Sequence, residues 1–135
     1  IEGIWGYNKE GEKEARIYAL IKSENFLYEE IVLFHPIKEF EGKTSTQIIK
    51  KIDKNKFKMK AGFGSNKITN WRNGLITIVN NRNLKFEADE HCYSENEKCL
   101  KAYSIYKKKI WPEETYGEKN KLTDEQINKL KDLIN

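Results

Sequence analysis

Hydrophobic and polar positions alternate along most of this chain with a period of two, the mark of half-buried β-strands. The clearest case is KFKMKAGF, where Phe57, Met59, Ala61 and Phe63 alternate with Lys56, Lys58 and Lys60. One face of that strand is apolar and the other carries lysine. ARIYALIK repeats the pattern. Ala15, Ile17, Ala19 and Ile21 alternate there with Arg16, Tyr18, Leu20 and Lys22, and the charges assign the second set to solvent. LKFEA sets Leu84, Phe86 and Ala88 on one side. GIWGYN, FLYEEIVLF, GLITIV and YSIYKKKIW read as further strands. TSTQIIKKI fits neither period well and is assigned to a strand because residues 56–63 need a hairpin partner.

Turn residues punctuate these strands. KEGEKE, SEN at 23–25, Asp53-Lys54-Asn55 and NNRN at 80–83 mark turns, and Asn73-Gly74 reads as a tight hairpin turn. HPIKEFEGKTS is a loop, since Pro36 and Gly42 break regular structure. The tail changes character. In LTDEQINKLKDLIN, Thr123 and Gln126 form a capping box, and Leu122 with Ile127 a hydrophobic staple. Asp124 and Glu125 suit the positive end of a helix dipole. Ile127, Leu130 and Leu133 or Ile134 then make one apolar stripe.

The expected fold is all-β: an up-and-down antiparallel barrel of about eight strands with one C-terminal α-helix. Closure removes the exposed edges that a meander would otherwise leave. With 135 residues the chain suits one domain. The barrel is expected over 1–111, and a linker and the packed helix over 112–135.

Composition narrows the function classes. Hydrophobic residues make up 38% and charged residues 34%, while three Trp, seven Tyr and six Phe are enough to build a core. The longest apolar runs, IVLF at 31–34 and GLITIV at 74–79, are far shorter than the roughly 20 residues of a spanning helix. No membrane span is expected. Net charge is +4, with 25 basic and 21 acidic residues, and the only arginines are Arg16, Arg72 and Arg82. That balance argues against a nucleic-acid partner.

Cys92 and Cys99 flank YSENEK, between two strands. A short turn there brings the sulfurs within disulfide reach, which favours an oxidising compartment. His91, Cys92 and Cys99 lack the spacing of a zinc site, and His91 points away from Cys92 on a strand. His35, before Pro36, reads as a surface-loop residue, and Glu29-Glu30, Asp89-Glu90 and Glu113-Glu114 as solvated charges. GFGSN at 62–66 is too short for a phosphate loop. No catalytic set, metal site or cofactor is expected, and the chain reads as a binding protein.

Gly3-Ile4-Trp5 on the first strand, the strand count and the helix position together resemble the lipocalins. The resemblance implies a calycin barrel with Trp5 plugging its closed end. Lipocalins commonly pack an Arg from a late strand over that Trp. Here the late strand offers Lys107, Lys108 and Lys109 instead. NFLYEEIVLF, NWRNGLI and CLKAYSIYKKKIW are also similar to a family of small exported bacterial proteins of unknown function.

The function implied is an exported, secreted or periplasmic carrier of a small apolar or amphipathic ligand, fatty-acid-like, held inside the barrel. The expected pocket wall is Ile17, Ala19, Ile31, Leu33, Phe57, Met59, Phe63, Ile76, Ile78, Phe86 and Tyr106. Small inner residues (Ala19, Ala61, Ala88, Ala102, Ser104) leave room, and Tyr18, Tyr28 and lysines near the open loops supply polar groups. The bland reading of the same residues is plain barrel core. A second function class is a periplasmic or secreted protein-binding module, an inhibitor or host-interaction factor. It would act through HPIKEFEGKTS, the cysteine hairpin tip and WPEETYGEKNK. A homodimer is compatible with either.

Overall fold

The period-two segments pair with their chain neighbours until the sheet meets itself. The computed structural model describes residues 1–13, 15–62, 71–92 and 99–110. Strands β1 (Gly3–Tyr7), β2 (Arg16–Lys22), β3 (Tyr28–Phe34), β4 (Thr44–Asp53), β5 (Lys56–Ala61), β6 (Arg72–Asn80) and β7 (Asn83–Ala88) follow in order. A short pair, β8 (His91–Cys92) and β9 (Cys99–Leu100), precedes β10 (Tyr103–Lys109). The order β1-β10-β7-β6-β5-β4-β3-β2 forms a closed barrel, and all its pairings are antiparallel. This is an all-β, up-and-down, eight-strand barrel. β8 and β9 pair with each other outside it. The expected C-terminal helix lies outside the described residues.

Segment 44–53 is a strand, as its hairpin with β5 requires. Asn73-Gly74 is not a turn. It lies inside β6, where Gly74 sits opposite Met59 and Ala88. The reason is steric: a Cβ on Gly74 would fall on the Glu87 carbonyl oxygen and 2.7 Å from Met59 Cε. The glycine makes room for the methionine.

Cross-strand partners share a face, so the register fixes the interior. Trp5, Leu20, Ile48, Phe57, Met59, Ala61, Ile76, Leu84, Phe86 and Ala88 form the main core. Trp5 is buried and sits opposite Lys109, whose Nζ lies 5.9 Å from the indole ring centre. Its Nε1 donates to the Ile1 carbonyl at 2.9 Å, tying down the N-terminus. Gly3 has a positive φ of 150°. A Cβ there would come within 3.3 Å of the Lys109 side chain. Gly-x-Trp is thus a packing unit with Lys109.

A second cluster, Ile4, Ala15, Ile17, Ala19, Leu33 and Ile110, lies on the opposite face of β1–β3, the outer wall. Here the expected inner face of β2 is reversed. Ile4 pairs with Ala19, and Trp5 with Tyr18, so Tyr18 points in and Ala19 out.

Candidate ligand-binding chamber

The barrel has two unlike ends. Tight connections at 23–27, 54–55 and 81–82 join the strands at one end. At the other leave the connections 8–15, 35–43, 62–71 and 89–102. The main core fills the first end. Toward the second it gives way to a chamber of about 520 Å³, within the size range of small-molecule sites.

Six of the eight barrel strands send described residues into this chamber. Tyr7 comes from β1, Arg16 and Tyr18 from β2, Glu30 and Val32 from β3. Thr44, Ser45 and Thr46 come from β4, Arg72 from β6, and Tyr103, Ile105 and Lys107 from β10. Lys9, His35, Phe40, Lys43 and Gly62 stand at the connections. The wall mixes aromatic rings, aliphatic groups and charges.

Its floor is an ion pair. Lys107 Nζ donates to Glu30 Oε2 at 2.8 Å and to Oε1 at 3.0 Å, with both residues almost fully buried. Ser45 Oγ and Thr46 Oγ1 also donate to Glu30 Oε1, at 2.8 and 2.9 Å. The ammonium lies 3.7 Å from the Tyr18 ring centre and 4.0 Å from that of Phe86. Buried charges are tolerated when paired and hydrogen-bonded in this way. Burial pushes the Lys107 ammonium below its ordinary value, and the Glu30 carboxylate works against that push.

The rim is organised by two arginines. Arg16 Nε and Nη2 donate to the two carboxylate oxygens of Glu12 at 2.8 and 2.7 Å. Its Nη1 reaches Tyr7 Oη at 3.4 Å. This pairing holds the Glu12 carboxyl below, and the Arg16 guanidinium above, their ordinary values. Arg72 Nη1 donates to the carbonyls of Asp89 and Lys101 at 3.2 and 3.0 Å, and its guanidinium covers the Tyr103 ring at 4.5 Å. Tyr7 and Tyr18 lie parallel, ring centres 6.2 Å apart. Burial raises the hydroxyls of Tyr7, Tyr18 and Tyr103.

His35 is not a surface-loop residue. It is 5% exposed, its ring meets Phe40 at 4.9 Å, and its Nδ1 accepts the Ile37 N–H at 3.0 Å. That bond leaves Nε2 as the protonated nitrogen of the neutral ring. Burial lowers its pKa, and Arg16 adds to the effect.

The residues expected to form the pocket fall into three groups. Phe57, Met59, Ile76 and Phe86 pack in the main core, with Ile78 at its edge. Ile17, Ala19 and Leu33 pack in the outer cluster, and Ile31 shares the face of Ala19. Tyr106 is 58% exposed and points out with Ser104, because Ile105 and Lys107 take the inner positions. Phe63 lies outside the described residues. None of the described ones lines the chamber. Of the expected polar groups Tyr18 does line it, while Tyr28 packs on the core. Glu30, expected as a solvated charge, is buried.

Sequence reasoning missed Arg16, Glu30, Arg72, Tyr103 and Lys107. One signal was present. Glu30 and Lys107 share strands with apolar residues at both phases, in YEEIVLF and YSIYKKK, so alternation there was ambiguous.

Among the described residues, no cluster of three or more His, Cys, Asp or Glu is placed to hold a metal ion. No helix among them is long and apolar enough to cross a membrane. No family model matches the chain, and no curated protein matches it. Among solved structures, one from Helicobacter pylori is described as "Protein HP1028 from the human pathogen Helicobacter pylori belongs to the lipocalin family". It is similar with a TM-score of 0.49 at 13% identity, covering 96% of this chain and 88% of that one. The chain's own strand order, eight antiparallel strands in sequence and closed edge to edge, is lipocalin-like.

Proposed function

We propose that this protein binds a small amphipathic organic molecule in the open-end chamber. The observation that carries the reading is the chamber itself, about 520 Å³ of space above a packed core, with rings and charges sharing one wall. A close-packed barrel would leave no such volume. Aromatic and aliphatic groups would bury the ligand's body, at roughly 25 cal/mol per Å². The polar groups would orient it. This is binding rather than catalysis, with a fatty-acid-like molecule as the simplest fit.

The test is to purify the protein, denature it, extract with organic solvent and analyse the extract by mass spectrometry. A stoichiometric small molecule is expected, and Ile105→Trp, which pushes a larger ring into the chamber, should lower the amount retained. An extract that stays empty after incubation with a fatty-acid mixture overturns the reading.

The same reading places the protein in an exported, oxidising setting, periplasmic or secreted. It is supported by the register of β8 and β9, which sets Cys92 opposite Cys99. Residues so paired have Cα atoms at about 4.5–5.5 Å, inside disulfide range. Thiol titration under denaturing conditions should find no free thiol until a reductant is added.

A further inference from the structure

Resting on the chamber as a ligand site, we infer that Arg16 is the anchor for an acidic head group on the ligand, and that Glu12 is a stand-in for that head. The ligand class is a carboxylate on an apolar body. Arg16 lines the chamber, and its planar fork already holds a carboxylate side-on through two charge-assisted hydrogen bonds of 2.8 and 2.7 Å. That carboxylate is not part of the barrel wall. Glu12 comes from the β1–β2 connection, where its N–H closes a turn onto the Lys9 carbonyl at 3.0 Å. Its side chain is 22% exposed, so it can leave for solvent without stranding a buried charge.

The neighbourhood favours the exchange. Lys9 and Lys43 stand on the same wall, while the chamber's own acid, Glu30, is already engaged by Lys107. A carboxylate arriving at Arg16 replaces Glu12 with the same geometry and leaves the cationic rim balanced. Its apolar body then lies against the parallel rings of Tyr7 and Tyr18. A neutral ligand of the same shape gains the ring contacts and nothing from Arg16.

The probes are dansylated undecanoate and its methyl ester, titrated by fluorescence at one fixed ionic strength. Glu12→Ala should bind the acid about two- to five-fold more tightly than the parent, the scale of a lost exposed ion-pair competitor. Arg16→Gln should bind it at least about ten-fold more weakly, the scale of hydrogen bonds to a charged group. Ester affinity should be unchanged in both. Acid and ester binding alike in all three proteins, or weaker acid binding by Glu12→Ala, overturns the anchor while leaving the chamber reading intact. Neither probe binding any folded protein overturns both. Glu12 lies at the surface, so its variant decides the matter even if Arg16→Gln does not fold.

Discussion

Toward the end joined by tight turns, Trp5, Phe57, Met59, Ile76, Leu84 and their neighbours pack into one apolar cluster. At the other end the same strands carry Arg16, Glu30, Arg72 and Lys107 inward around open space. The turn end behaves as an ordinary core, in which each residue's worth is the volume it fills. The loop end is held by a few mutually dependent polar contacts, which are costly when half made. The contrast teaches that a barrel can separate close apolar packing from an open, charged space along its own axis. Apolar packing sets the scaffold, and the charged floor at Glu30 and Lys107 marks where packing stops.

The strongest way to break that division is at the floor. Lys107→Met leaves Glu30 buried without its cation and should cost about 3–5 kcal/mol in chemical denaturation. Adding Glu30→Gln to it should recover most of the loss, since the cost is the stranded charge. A double variant as weak as the single one would show that the pair is a packing element like those at the other end.

Met59→Ala tests the turn end. It should cost about 2–5 kcal/mol through lost burial and a residual cavity. It should also leave the two probe affinities as they are in the parent, because Met59 lies below the floor. Gly74→Ala comes next. The new methyl would press on Met59 and on the Glu87 carbonyl, and overpacking of this kind costs about 1–3 kcal/mol.

The smallest effect sharpens the comparison through pH. His35 has a folded pKa below its ordinary 6.5, so the unfolded chain binds its proton more readily. The stability His35 contributes is therefore fully present above pH 6.5 and is lost as the pH falls through the folded value. Protonation also removes the Nδ1 acceptor used by Ile37. His35→Gln should flatten the fall in denaturation midpoint just below pH 6.5. Met59→Ala should leave its slope unchanged.

Much of the fold was legible because alternation reports burial wherever polar side chains face water. In β5 and β7 that holds, and Phe57, Met59, Leu84 and Phe86 were correctly placed inside. In β2, β3 and β10 it fails. Reading the charged Arg16 and Glu30 as outward turns Ile17, Ala19, Ile31 and Leu33 inward, and in β10 the expectation of Tyr106 inside is likewise reversed. A period of two fixes two faces but not which of them is the inside. His35 follows a different logic: it lies in a connection, where strand period says nothing, and its ring is covered by Phe40.

The sequence by itself determined the strand-rich, turn-punctuated chain and the apolar Gly3-Ile4-Trp5 segment, while closure of the barrel came from the tertiary pairing. The first two depend on local period, on turn chemistry and on one large apolar anchor. Only the tertiary structure decided where the chamber lies and what lines it. Glu30 and Lys107 stand 77 residues apart. Each is unfavourable inside a protein alone, and they become stable there only when closure of the barrel brings them together.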